Sequence, residues 1–176
     1  LSHNSGFYGG VFASTLTDNL RPGNLELSAY AGYSREILPA TELDVGVQYY
    51  AFPNNEGLAG ADYIEPYMAL RHTLGPATAE VGAAYAPEQD AFGGSDSLYV
   101  YGDLSAGLII LPITATARIG YTNGTARFTG LSDYMDWRIG AEYKTGPATF
   151  MLEYVDTDAG VANADGAIVA SLRLGF

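Results

Sequence analysis

The chain has 176 residues, no cysteine, and 20 acidic against 8 basic side chains, for a formal charge of −12. That excludes a disulfide framework or thiolate metal site and argues against a sequence-independent nucleic-acid binder, which needs Lys and Arg on phosphates. Apolar residues make up 48%, with 22 Gly and 14 Tyr, yet no apolar run approaches the roughly 20 residues of a membrane helix.

Leu1 is not an initiator methionine, and no basic segment with an apolar core opens the chain. Any export signal is therefore expected to lie outside this sequence. From there the chain reads as ten runs with period 2, at about residues 6–15, 25–34, 42–51, 63–72, 77–85, 98–108, 113–122, 136–145, 148–155 and 167–176. Alternation over such lengths predicts strands. Most are about 9 to 11 residues, the length a tilted strand needs to cross a bilayer. Four prolines, Pro39, Pro76, Pro112 and Pro147, recur at intervals of 37, 36 and 35 residues. Each falls in a short link, where a missing amide donor harms a ladder least, so the repeat unit is a hairpin. Short turns near 34–41, 73–76, 109–112 and 146–147 alternate with longer polar loops near 16–24, 52–62, 86–97, 123–135 and 156–166.

The two faces of these strands differ. In strands two to ten one face, typified by Leu43, Val45, Val47, Tyr49 and Ala51, carries no Asp, Glu, Lys or Arg. The opposite face holds Glu26, Glu42, Asp44, Glu65, Glu80, Asp103, Asp136, Glu142 and Glu153 with Arg71, Arg118, Arg138, Lys144 and Arg173. The first strand is ambiguous, since Phe7 with Val11 and Tyr8 with Phe12 are both partly apolar sets. Aromatics on the uncharged face sit at strand ends: Tyr33, Tyr49, Tyr85, Tyr121, Trp137, Tyr143, Phe150 and Tyr154. Rings at both edges of an aliphatic band form the girdle of a membrane barrel, whereas a soluble core puts its largest rings in the centre. The expected fold is all-β: a single antiparallel up-and-down transmembrane β-barrel domain over residues 1–176, with about ten strands in this chain.

The final strand closes on Phe176 and resembles the C-terminal β-signal by which outer-membrane proteins are recognised for assembly, which implies the barrel-assembly machinery as a partner. A periplasmic Phe176 makes the long loops extracellular and the short turns periplasmic. Those loops then carry ten carboxylates, including Asp18, Glu56 and Asp62, against Arg21 and Arg127. This acidic mouth attracts cations and suits bridging to lipopolysaccharide through divalent ions.

Five stretches, residues 5–14, 25–33, 43–50, 133–140 and 152–158, resemble the TorF family of porin-like outer-membrane proteins of Gram-negative bacteria. The likeness runs through most of the chain. It implies a twelve-stranded whole whose N-terminal hairpin precedes this sequence, and a transport role without a named solute.

Chemistry on such a barrel needs a constellation. His3 lies near the N-terminal edge and His72 at the turn end of the uncharged face, so neither stands beside a mouth Ser or Asp as hydrolysis requires. Asp156, Asp158 and Asp165 are hard oxygen ligands in one loop, but the calcium-loop pattern with its closing Glu is absent. Gly93-Gly94 lacks the Lys and helix of a phosphate loop and is read as a turn. The expectation is no enzyme, no cofactor and no resident metal. The charged inward residues either pair, Glu80 with Arg71 and Glu153 with Arg138, or form opposed rows at a pore constriction. A narrow channel for small solutes with a cation preference is the leading function, and a closed structural or surface-interaction barrel the alternative.

Overall fold

In the computed structural model, residues 1–16, 24–53, 60–126, 131–160 and 165–175 are described. Ten strands form one antiparallel sheet in chain order: β1 (Phe7–Thr15), β2 (Leu25–Leu38), β3 (Thr41–Ala51), β4 (Tyr63–Leu74), β5 (Ala77–Gln89), β6 (Ser95–Gly107), β7 (Ile113–Ala126), β8 (Leu131–Thr145), β9 (Ala148–Thr157) and β10 (Ala167–Leu174). Among the described residues each strand pairs only with strands next to it in sequence. The outer edges of β1 and β10 have no strand partner among the described residues. On the β1 edge, however, the chain turns back at His3 to Gly6, so that Leu1 and Gly9 exchange two backbone hydrogen bonds of 2.8 and 2.9 Å.

All ten expected strands form, but several run further than alternation of apolar residues signals. β2 continues to Leu38 and takes in Arg35 and Glu36, which read as turn residues. β5 and β6 meet across a single 3-10 turn, Asp90–Phe92, followed by Gly93 and Gly94 at positive φ. β7 reaches Ala126 and β8 begins at Leu131, so most of the two expected loops 86–97 and 123–135 is ladder. The physical reason is local: past the aliphatic band the convex parity of β6 and β8 carries Asp96 and Asp133, so no apolar alternation marks the strand. Gln89 extends this region by imitating backbone, its side-chain amide accepting from Ile64 N at 2.8 Å and donating to Ile64 O at 3.0 Å.

The short links obey turn chemistry. Gly75 and Gly146 take φ of 59° and 55° in two-residue turns completed by Pro76 and Pro147, the geometry that matches strand twist. In the β6–β7 link, residues 108–112, Ile109 and Ile110 are almost fully exposed.

One face of the sheet is concave, since side chains from β4 through β10 line a single cavity of about 340 Å³ on it. The convex face exposes aliphatic residues along its middle, among them Val45, Val47, Leu70, Val81, Val100, Ile119, Ile139 and Leu152. The register settles β1: Tyr8 lies opposite Gly32 and Phe12 opposite Ser28, both concave, while Phe7 and Val11 are convex. The Phe7 ring stands 5.0 Å from Tyr33, adding a ring to the girdle. The convex face is not free of charge over the full strand length. Arg35 lies at the turn end, and Asp96, Asp133 and Asp156 at the loop end, each beyond the aliphatic band.

Candidate functional site

The concave wall is organised by one row of the ladder. Reading cross-strand partners from β2 to β8 gives Glu36, Glu42, Arg71, Glu80, Asp103, Arg118 and Arg138, a charged residue on every strand. Directly opposed side chains lie close enough to interact, and here they do. Arg71 Nη1 donates to Glu42 at 2.9 Å and Arg71 Nη2 lies 2.6 Å from Glu80. Arg118 forms a fork on Asp103, with Nε donating at 2.7 Å and Nη2 closing the second bond. Arg138 Nη2 lies 3.6 Å from the same Asp103 and its Nε 3.7 Å from Glu153. Tyr101 joins the two halves: its hydroxyl donates to Glu80 at 2.9 Å and the Arg118 guanidinium sits 4.2 Å above its ring.

The expected pairs Arg71 with Glu80 and Arg138 with Glu153 therefore form, on adjacent strands. The Asp103 bridge between two arginines was not foreseen. It depends on register between β6, β7 and β8, which alternation leaves undefined by whole dipeptide steps. Glu153, 8% exposed, lies one row toward the turn end. Its aliphatic stem covers Gly140, where a Cβ would collide with it. Glu142 and Arg173 line the cavity at the turn end and make no ion pair among the described residues.

The loop side of that row is built differently. Its concave residues include Asp44, Asp136, Glu65 and Glu26 and, among the described residues, no Lys or Arg. Tyrosines replace the bases. Tyr8 donates to Asp44 at 2.5 Å and lies 2.6 Å from the Tyr67 hydroxyl, and Tyr99 donates to Asp136 at 3.2 Å. Glycine makes the room: a Cβ on Gly32 would collide with the end of the Tyr8 ring and the Tyr67 hydroxyl, and one on Gly46 with the end of the Tyr67 ring. At the loop end of β3 and β4, Tyr50, Phe52, Tyr63 and Phe92 cluster, with Tyr50 and Tyr63 stacked at 4.4 Å and Phe92 edge-on to Tyr63 at 5.1 Å. Ala61, Ala86 and Ala91 are buried in the same region. The sequence signal for this cluster was present in the inward parity of Tyr50 and Tyr63, but Phe52 and Phe92 fell in segments read as loop.

On the convex face the girdle tyrosines have partners just beyond the aliphatic band. Tyr49 donates to Asp62 at 2.9 Å, Tyr85 to Asp96 at 3.0 Å and Tyr154 to Asp156 at 2.7 Å. Tyr121, Trp137, Tyr143 and Phe150 lie on the same face, all partly exposed. Asp158 accepts from Met135 N at 2.6 Å, so Asp156 and Asp158 are directed to different protein groups rather than to one centre. His72 bonds Thr41 Oγ1 at 2.9 Å, and His3 bonds Ser5 Oγ at 2.7 Å within its own exposed turn. Asp18, Arg21, Glu56, Arg127 and the terminal Phe176 lie outside the described residues.

The comparisons agree with this architecture. The whole chain superposes on a solved porin, described as a structure of porin refined at 1.8 Å resolution, with a TM-score of 0.55 and 13% identity. It spans 60% of that porin's length, and a likeness at this identity shows the fold. No curated protein sequence matches significantly. A family model described as "Bacterial protein of unknown function (Gcw_chp)" matches residues 1–170, and the chain belongs to that family.

Proposed function

We propose that this chain forms the wall of a porin-like outer-membrane channel for small solutes, with cations favoured over anions. One observation carries the reading: a convex face uncharged across its middle stands opposite a concave face that holds most of the described strands' charged side chains around a cavity. Soluble proteins rarely expose so broad an apolar surface, and lipid is the solvent that suits it. The porin-like fold and the resemblance to the TorF family support the same assignment, and nothing in the proposal requires catalysis. In this reading the loop end is extracellular and the turn end periplasmic. Asp62, Asp96, Asp133 and Asp156 then stand at headgroup level above the girdle, suited to lipopolysaccharide phosphates through divalent cations.

The cation preference is supported by the uncompensated carboxylates on the loop side of the ladder row, since a like-signed wall concentrates counter-ions. A second reading, a closed barrel without transport, draws on the aromatic packing around Tyr63, which occupies the loop end of β3, β4 and β5. Planar-bilayer conductance of the refolded full-length protein in a KCl gradient separates the two. Stable steps with a cation-selective reversal potential are expected, and a correctly folded but electrically silent protein would overturn the channel.

A further inference from the structure

The cavity on the concave face owes its room to a row of short side chains. On the turn side of the charged row, Thr78, Ser105 and Thr116 are cross-strand partners, and all three line it. Four arginines and four carboxylates line it as well, so the charge of its described walls sums to zero. Three of each belong to the network already described: Arg71, Arg118 and Arg138 with Glu80, Asp103 and Glu153. One of each sign is left over, Glu142 on β8 and Arg173 on β10. Neither makes a hydrogen bond or an ion pair among the described residues.

The same two residues line a second, smaller cavity of about 260 Å³, together with Thr149, Met151 and Ser171. The register explains why they do not meet. Met151 lies across the ladder from Glu142, and Thr149 across from Arg173. The pair is therefore offset by two strands and two residues, about 12 Å between Cα atoms at ordinary ladder spacing. Opposite charges face one open space from two sides without closing it.

A guanidinium takes a carboxylate by a two-pronged, charge-assisted hydrogen bond, and a carboxylate accepts as readily from an ammonium. A plain anion would satisfy Arg173 and be repelled by Glu142, and a plain cation would do the opposite. A neutral sugar would compensate neither. For a metal ion, the described residues include no group of three side chains placed to hold one. A small solute of zero net charge with one charge at each end matches both groups at once, and it also matches the zero sum of the larger cavity. Met151 offers a soft apolar surface to the aliphatic part of such a molecule.

We infer that this corner of the wall is a binding subsite for a small zwitterion of the α-amino-acid class, with its ammonium on Glu142 and its carboxylate on Arg173. The inference deepens the channel reading and rests on it for the solute's route. The acidic loop end acts at range on net charge, whereas this site acts by contact on a solute that has none.

The test titrates L-alanine into refolded full-length protein in detergent micelles at constant ionic strength, with calorimetric readout. Propionate and ethylammonium, each of them alanine without one of its charged groups, are the controls. Saturable alanine binding is expected, about tenfold tighter than that of either control. Glu142→Gln should erase the advantage over propionate, and Arg173→Gln the advantage over ethylammonium. Alanine binding no tighter than that of the controls, or indifferent to both substitutions, would overturn the subsite and leave two solvated charges. Retention of β-sheet circular dichroism is required of each variant, and should one fail to fold, the other carries the test. Alanine binding by an electrically silent protein overturns the channel and keeps the subsite, while conductance without alanine binding does the reverse.

Discussion

The two ends of the concave wall solve one problem in opposite ways. Toward the turn end, charge is matched: Glu42, Arg71, Glu80, Asp103, Arg118, Arg138 and Glu153 lock into one network that crosses seven strands. Toward the loop end there are carboxylates without bases, and tyrosines laid over glycines fill the space. Matched charge in a partly desolvated wall gains little net stability but is expensive to break, so the turn end behaves as framework. Unmatched charge retains its field for something outside the protein, so the loop end is where a solute would be felt.

The largest test of that contrast is Asp103→Ala. It strands the Arg118 guanidinium, whose one carboxylate it removes, and leaves Arg138 with Glu153 alone. We expect a loss of about 3 kcal/mol, the lower end of the range for a broken buried pair because these side chains are partly exposed, together with a shift of selectivity toward anions. Chemical unfolding in vesicles and the reversal potential read the two effects. Gly46→Ala probes the loop end's framework instead. Its Cβ would meet the Tyr67 ring and the Ala31 carbonyl, and a cost of roughly 1–2 kcal/mol in the same unfolding measurement is expected from overpacking.

Glu65→Gln should move stability by less than about 0.5 kcal/mol, since it removes no partnered charge, and yet lower cation selectivity. A large destabilisation would mean that Glu65 belongs to the framework and would erase the contrast. The smallest effect is expected on the outside. Tyr85→Phe removes the hydrogen bond to Asp96 from an exposed girdle position, and the unfolding midpoint should stay unchanged.

How much of this was legible beforehand depends on how local the signal is. Alternation marks each strand and its two faces from its own residues, so Val45 and Asp44 were assigned to opposite sides without knowledge of any neighbour. It also reached as far as pairs flanking a short turn, such as Arg71 and Glu80, because a two-residue link leaves little freedom in register. It did not reach Asp103 with Arg138, two strands apart, where a longer link between β6 and β7 lets the register slide. Nor did it show that Tyr67 lies over Gly46, although a concave glycine across the ladder from a concave tyrosine is a pattern that could be sought. In β1 the apolar residues fall on both parities, and only the pairing of Tyr8 with Gly32 resolves them. The rims of β5 through β8 escaped because their outward positions carry Asp96 and Asp133 where an apolar residue would have continued the pattern.

The strand order also bears on how the molecule is made. Because every ladder joins strands adjacent in the chain, each new hairpin can be laid down against the one before it, with only a short loop to close each time. Such local contacts favour fast, sequential formation. The cost is that every intermediate of this growth presents a raw strand edge, on β1 at one side and on the most recently added strand at the other. An assembly route that shields those two edges until they are satisfied matters more for this chain than one that accelerates any single pairing.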